Sequence, residues 1–285
     1  MYCIQISNGC GLGNILQVTP AFKYLAKKHG KEKIVVSYQK GKNHEAVRMI
    51  FKDYSDRLSL NYQIKPNDRL IRTVTMSPFP SNCKVSEVVY NLQNAGCKNP
   101  TKEDRKGFCG YEEVERQHNI VMCNGYCKGV KAKGNDDIWK VKSFANWREL
   151  ARQFPKEYLN YGYPVSLGRL EERIECTFHS KMTLGQIFGT IKKAKLFISN
   201  DTGFYHVANA LGVKNIVLFT MTDPKKNYDK NFHEDATIMT AEISCQPCQF
   251  KGDMYWVAEH KKCKWKCRDI SVDKIIAKAK QLIGE

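Results

Sequence analysis

Long apolar runs are missing from this 285-residue chain. None approaches the ~18 residues that a membrane-spanning helix needs, so a helical membrane protein is excluded. The features of an export signal are also missing, since Tyr2–Ile6 reads as a strand and glycine-rich sequence follows at once. No segment repeats with a fixed period and none is of low complexity, which removes solenoids and disordered tails. Acidic residues are scarce, 29 Asp and Glu against 46 Lys and Arg, and the formal charge is +17. Such a field attracts polyanions, whether nucleic acid, a phosphorylated glycolipid or an anionic membrane surface. A plainly lysine-rich solvated surface is the alternative. Twelve cysteines in an exported chain would predict a disulfide framework. Without an export signal they are expected to stay reduced, as core thiols or metal ligands, in a cytoplasmic protein.

An apolar content of 42% is that of a globular protein, and the length suits two modest cores. Strand patterns stand at Tyr2–Ile6, Ile34–Tyr38, Asn119–Cys123, Val165–Leu167, Leu196–Ile198 and Ile216–Phe219. Helical patterns stand at residues 14–29, 42–52, 143–154 and 271–283, with Pro20 either kinking the first or restarting it behind a Thr19 cap. This order predicts an α/β protein of two doubly wound halves. The segment Ala95–Gly110 reads as the crossover, giving domains over residues 1–117 and 118–285.

Lys195–Pro224 is the most informative stretch. An apolar strand breaks into Ser199-Asn200-Asp201-Thr202-Gly203, a small-residue helix follows to Leu211-Gly212, and a second apolar strand completes the unit. The turn after a strand in a parallel sheet is where ligands sit, and the free N–H groups of the next helix favour phosphate. Gly203 permits close approach, Thr202 adds a hydroxyl, Asp201 can cap the helix, and His206 stands on its first turn as a candidate phosphate contact. A core histidine is the alternative for His206.

The glycine-rich loop Gly9-Cys10-Gly11-Leu12-Gly13 lacks Gly-x-Gly-x-x-Gly spacing, and no acidic residue closes the second strand to hold a ribose. A nicotinamide or flavin enzyme is therefore disfavoured. Cys245-x2-Cys248 with Cys263-x3-Cys267 has ligand spacing for a structural zinc clip, in a basic segment, 245–267, that also holds Trp256 and Trp265. Such a lobe could grip a nucleic-acid backbone; thiols that merely stabilise an insertion are the other reading.

Asp201-Thr202-Gly203-x-x-His206, Leu211-Gly212 and Thr222-Asp223-Pro224 together resemble the ADP-heptose:lipopolysaccharide heptosyltransferases. The likeness extends to Met182–Phe188, to Cys245-Gln246-Pro247-Cys248, and to Gly11-Leu12-Gly13-Asn14 with Thr19-Pro20-Ala21. It implies a GT-B fold, two Rossmann-like domains facing across a cleft, and a transferase using a nucleotide-diphosphate sugar with no catalytic metal. It implies that Asp201, Thr202, Gly203, His206 and Lys140 or Lys142 bind the donor, while Gly11 and Gly13 border the acceptor. It also implies an Asp where this chain has Asn14. An amide cannot act as a base, so His44, Glu45 or Asp53 is a candidate to take the acceptor proton while Asn14 orients. Charge then narrowly favours a DNA acceptor carrying hydroxymethylated pyrimidine, with a lipopolysaccharide core as the alternative. A nucleic-acid-binding protein on a retired transferase scaffold is a third reading.

Overall fold

The computed structural model describes residues 1–7, 10–41, 43–72, 85–125, 141–154, 165–166, 181–247 and 264–285. Two parallel sheets organise them. The first has the order β3-β2-β1-β4, from β1 (Tyr2–Gln5), β2 (Ile34–Tyr38), β3 (Leu58–Leu60) and β4 (Arg69–Arg72). The second has the order β6-β5-β7-β8-β9, from β5 (His118–Cys123), β6 (Val165–Ser166), β7 (Ala194–Asn200), β8 (Asn215–Leu218) and β9 (Ala236–Met239).

Alternation along β7 shows why the second sheet is covered on both faces. Phe197 turns to one side, into a core shared with Val121, Val217, Phe188 and Val207. Leu196 and Ile198 turn to the other, against Ile120, Ile216, Phe144, Leu150 and Ile275. A strand buried on both faces reads as a continuous apolar run, which is how this one stood out in the sequence. Each such side chain, fully buried, contributes about 1.5–3 kcal/mol. The first core does not stop at the second sheet. It runs on through Ile4, Ile15, Phe22 and Val36 of the first half, so one apolar cluster joins the two halves.

Between the strands lie α1 (Leu12–Gln17), α2 (Thr19–His29), α3 (His44–Ile50), α4 (Glu87–Asn94), α5 (Trp147–Arg152), α6 (Leu184–Lys192), α7 (Gly203–Ala210) and α8 (Pro224–Asn227). The chain closes with α9 (Val272–Ile283), capped by the Ser271 hydroxyl. Pro20 restarts the first helix rather than kinking it, but Thr19 is not the cap. Val18 is, and the Thr19 hydroxyl donates to the Leu16 carbonyl at 2.7 Å. The helix expected over 143–154 is shorter, Trp147–Arg152, because residues 143–146 are irregular and their groups bond elsewhere: the Phe144 N–H donates to Asn200 Oδ1 at 2.9 Å. Among the described residues no helix is long and apolar enough to cross a membrane. Of the cysteine-rich segment, Cys245 is half-buried and Cys267 buried; Cys248 and Cys263 lie outside the described residues, as does Lys140.

Candidate functional site

The turns after β1 and β7 lead into α1 and α7, and the two helices meet. A Cβ on Gly203 would stand 2.5 Å from the Leu12 Cβ, and one on Gly13 would stand 2.6 Å from the His206 Cδ2. Only glycine lets the two backbones come this close.

On the β7 side, Asp201 is buried and its Oδ2 pairs with the Lys142 ammonium at 3.2 Å. The same oxygen accepts from the Asn227 amide at 3.1 Å. Asp201 therefore does not cap α7, as the sequence suggested; Thr202 is the N-cap, without a side-chain bond. The Thr202 hydroxyl lies against the Cys123 thiol, which burial pushes up to about 11. The Thr222 hydroxyl, just beyond the end of β8, is buried with no hydrogen-bond partner among the described residues. Lys226 on α8 is buried as well, and burial lowers its pKa against the opposing pull of Glu87 and Asp201. A cation lifted out of water between two carboxylates, and a second one on Asp201, form an alternating row of charges: Glu87, Lys226, Asp201, Lys142.

His206 does not open onto a solvent-filled cradle. It is 4% exposed, packed on Gly13, and its Nδ1 is 2.8 Å from His233 Nε2. Burial holds His206 neutral, with a pKa of about 3, and drives His233 down as well. The lone histidine of the sequence is one of a buried pair whose partner lies 27 residues on.

On the β1 side, Gly11 is the N-cap of α1 and donates its N–H to Asn14 Oδ1 at 2.9 Å. The Asn14 amide donates to both oxygens of Glu87, at 2.8 and 3.1 Å. Glu87, the first residue of α4, is completely buried. Burial raises its pKa to about 7, opposed by bonds from Asn14 and Gln17 and by the charge of Lys226. Next to it the Ser86 hydroxyl donates to Asp229 Oδ2 at 2.7 Å, and Arg105 pairs with the same oxygen at 3.2 Å.

The other candidates for a base stand apart from this pairing. Glu45 is exposed and accepts the Leu184 N–H at 3.1 Å, tying α3 to the start of α6. His44 lies beside Tyr38, ring centroids 5.4 Å apart, and its buried Nδ1 has no hydrogen-bond partner among the described residues. A separate cleft of about 350 Å³ opens at the ends of β1 and β2, lined among others by Gln5, Ser7, Ser37, Tyr38 and Tyr62. Sequence reasoning missed Glu87, Lys226, Asp229 and His233. The one available signal was Ser86-Glu87-Val88-Val89, an N-cap followed by an acid that leads into an apolar run.

A family model described as glycosyltransferase family 9 (heptosyltransferase) matches residues 164–257, which contain the Asp201 turn. This chain is similar to the family 9 glycosyltransferases. Lipooligosaccharide heptosyltransferase 2 of Campylobacter jejuni serotype O:2 is 29% identical over 109 residues, 36% of this chain and 30% of the relative. The chain thus matches less than a third of that curated relative's length. Among solved structures, likeness of fold extends over nearly the whole chain. The family 9 glycosyl transferase of Veillonella parvula aligns over 99% of this chain and 97% of its own, with a TM-score of 0.65 at 13% identity. The iron-containing dodecameric glycosyltransferase TibC of enterotoxigenic E. coli aligns over 98% of this chain and 76% of its own, at TM-score 0.67 and 14% identity. The ADP-heptose lipopolysaccharide heptosyltransferase II of E. coli gives TM-score 0.52 over 93% of this chain and 98% of its own, at 13% identity. At these identities the structural likeness establishes the fold, GT-B. None of these relatives is described as acting on DNA.

Proposed function

We propose that this protein is a glycosyltransferase that takes a heptose from ADP-heptose and attaches it to a hydroxyl of a lipopolysaccharide-type acceptor. The observation that carries this reading is the Asp201-Thr202-Gly203 turn with its Lys142 counter-charge, at the ligand-binding end of a parallel sheet and within the family 9 match. A TibC structure described as a complex with ADP-D-beta-D-heptose supports the donor, and the Campylobacter relatives support the acceptor class. The hydroxymethylated-DNA acceptor that charge alone favoured has no such support.

In this reading residues 118–285 hold the donor and residues 1–117 present the acceptor. As the anomeric bond breaks, negative charge grows on the leaving diphosphate. Lys142, Lys226 and the free N–H groups of α7 are the groups of this chain that can stabilise it. Lys142 is bound to Asp201 until a diphosphate competes for it, so the ammonium is held beside the turn before the donor arrives.

The test is calorimetry with ADP-heptose, followed by mass spectrometry of heptose-less lipopolysaccharide incubated with the protein and that donor. Saturable binding and a heptose-sized mass gain are expected. Absence of binding would favour the retired-scaffold reading; binding without a mass gain would move the acceptor elsewhere.

The four cysteines Cys245, Cys248, Cys263 and Cys267 belong to the same reading as a structural metal clip. Four thiolates suit zinc or iron in tetrahedral geometry. The similar structure described as iron-containing adds iron to the zinc that spacing suggests. Metal analysis of the purified chain is expected to return about one ion per chain.

A further inference from the structure

Transfer to a hydroxyl needs a group that accepts its proton, and the amide of Asn14 cannot be that group. Both ends of this amide are already committed. Its oxygen holds the Gly11 N–H, and its nitrogen holds both oxygens of Glu87. The side chain is therefore a bracket, and what it brackets is a carboxylate.

We propose that Glu87 is the proton acceptor of the transfer, held in place by Asn14. The inference rests on the transferase reading given above. Three features of the structure support it. Glu87 opens α4, where the free N–H groups of the helix favour its ionised form. Asn14 stands at the outer end of the pair and is partly exposed, so it marks the side from which an acceptor approaches. The cover over Glu87 comes from the other half of the molecule: Lys226 faces it, and Ser86 beside it is bonded to Asp229. Its burial therefore depends on how closely residues 226–229 sit on the start of α4, and the proposal requires that segment to part from the helix when an acceptor binds.

The groups facing Glu87 are Asn14 and Gln17 from α1 and Lys226 from α8, with Tyr205 of α7 also sensing its charge. Burial outweighs the one cation and two amides and leaves it a basic carboxylate. In the step itself the acceptor oxygen bonds to the anomeric carbon. The bond from that carbon to the diphosphate breaks, its electron pair staying on the phosphate oxygen. The hydroxyl proton passes to the Glu87 carboxylate and is lost to solvent after the product leaves.

The experiment uses the full chain with ADP-heptose, and water or heptose-less lipopolysaccharide as acceptor, reading ADP release. Glu87→Gln should bind ADP-heptose within about twofold of wild type while ADP release falls about 100-fold or more, the range lost with a general base. The wild-type rate should rise with pH through an inflection near 7 and then level, whereas Glu87→Gln should show no inflection. Glu87→Asp, which keeps the carboxylate, should recover part of the rate and shift the inflection. It also keeps the test decisive if the Gln variant does not fold. A Gln variant that releases ADP within about threefold of wild type overturns the proposal, and so does an Asp variant with an unaltered pH profile. Wild-type binding without ADP release from either acceptor also overturns it, while leaving the donor reading standing. Absence of wild-type binding removes the donor reading itself.

Discussion

The turns after β1 and β7 hold equivalent places in the two sheets and touch one another, yet they handle charge in opposite ways. The second turn carries its own carboxylate, Asp201, and meets it with a full cation, Lys142, at 3.2 Å. The first turn carries no charge. Through the amide of Asn14 it reaches a carboxylate on another helix, one answered by the amides of Asn14 and Gln17 together with the Lys226 ammonium. A buried charge met by an opposite charge stays a charge, and its removal is felt mostly in stability and electrostatics. One whose burial outweighs its partners, as at Glu87, sits near the point of protonation, where it can exchange a proton with a substrate. The same fold thus provides an electrostatic turn and a proton-handling turn on facing sides of one interface.

Breaking the electrostatic side should have the largest effect on stability. Lys142→Met leaves Asp201 buried, still bonded to the Asn227 amide but without the Lys142 ammonium, and removal of one partner of a buried pair costs about 3–5 kcal/mol. Urea unfolding of Lys142→Met, of Asp201→Asn and of the double variant measures the coupling between them. The double variant should be more stable than Lys142→Met alone. Additive losses would mean that the two side chains do not answer each other.

On the proton-handling side the comparison is sharpened by pH. Glu87 has a folded pKa of about 7 against 4.5 in its ordinary state, so between these values the folded chain binds the extra proton. The protonated group's contribution is fully present below about 4.5 and lost as pH rises through about 7, a change of about 3 kcal/mol. His206 and His233 run the other way. Their folded pKa values are lowered, so their contribution is present above 6.5 and lost as pH falls, for His206 down to about 3. Wild type alone reports the sum of these opposed trends. Subtracting the profile of Glu87→Gln isolates the carboxylate: the variant should gain about 3 kcal/mol on wild type between about pH 4 and about pH 8. A flat difference would place Glu87 in an environment no different from water.

Much of this arrangement was legible in the sequence, and the part that was not has a physical reason. The β7–α7–β8 unit stood out because a parallel strand buried on both faces is a continuous apolar run, and a polar turn breaks it sharply. The family resemblance offers Lys140 or Lys142 as a counter-charge for the donor's diphosphate; Lys142 lies beside this turn, 3.2 Å from Asp201. Glu87 was invisible because its partner lies 73 residues away, and nothing local distinguishes a buried helix-start acid from a solvated one. His206 was read only in part for the same reason. Its position on the first turn of α7 was readable, but the ring that occupies its Nδ1 belongs to His233. Periodicity reports what lies along an element, whereas both of these residues are defined by what lies across the interface.

The smallest of the expected effects tests the contact between the turns themselves. Gly203→Ala would place a Cβ 2.5 Å from the Leu12 Cβ and 2.9 Å from its Cγ. The nearer atom is fixed to the backbone of α1, so the helix has to shift, and overpacking of this kind costs about 1–3 kcal/mol. Leu12→Ala should not rescue it, because alanine keeps the offending Cβ. Gly13→Ala meets a different obstacle, the edge of the His206 ring at 2.6 and 2.9 Å. That ring can swing aside, but only by giving up His233, so His206→Ala should relieve Gly13→Ala where Leu12→Ala fails to relieve Gly203→Ala. Thermal unfolding of the two pairs of double variants measures both differences. If Leu12→Ala restores Gly203→Ala, the two helices are free to slide past each other, and the interface is a soft contact whose spacing neither turn dictates.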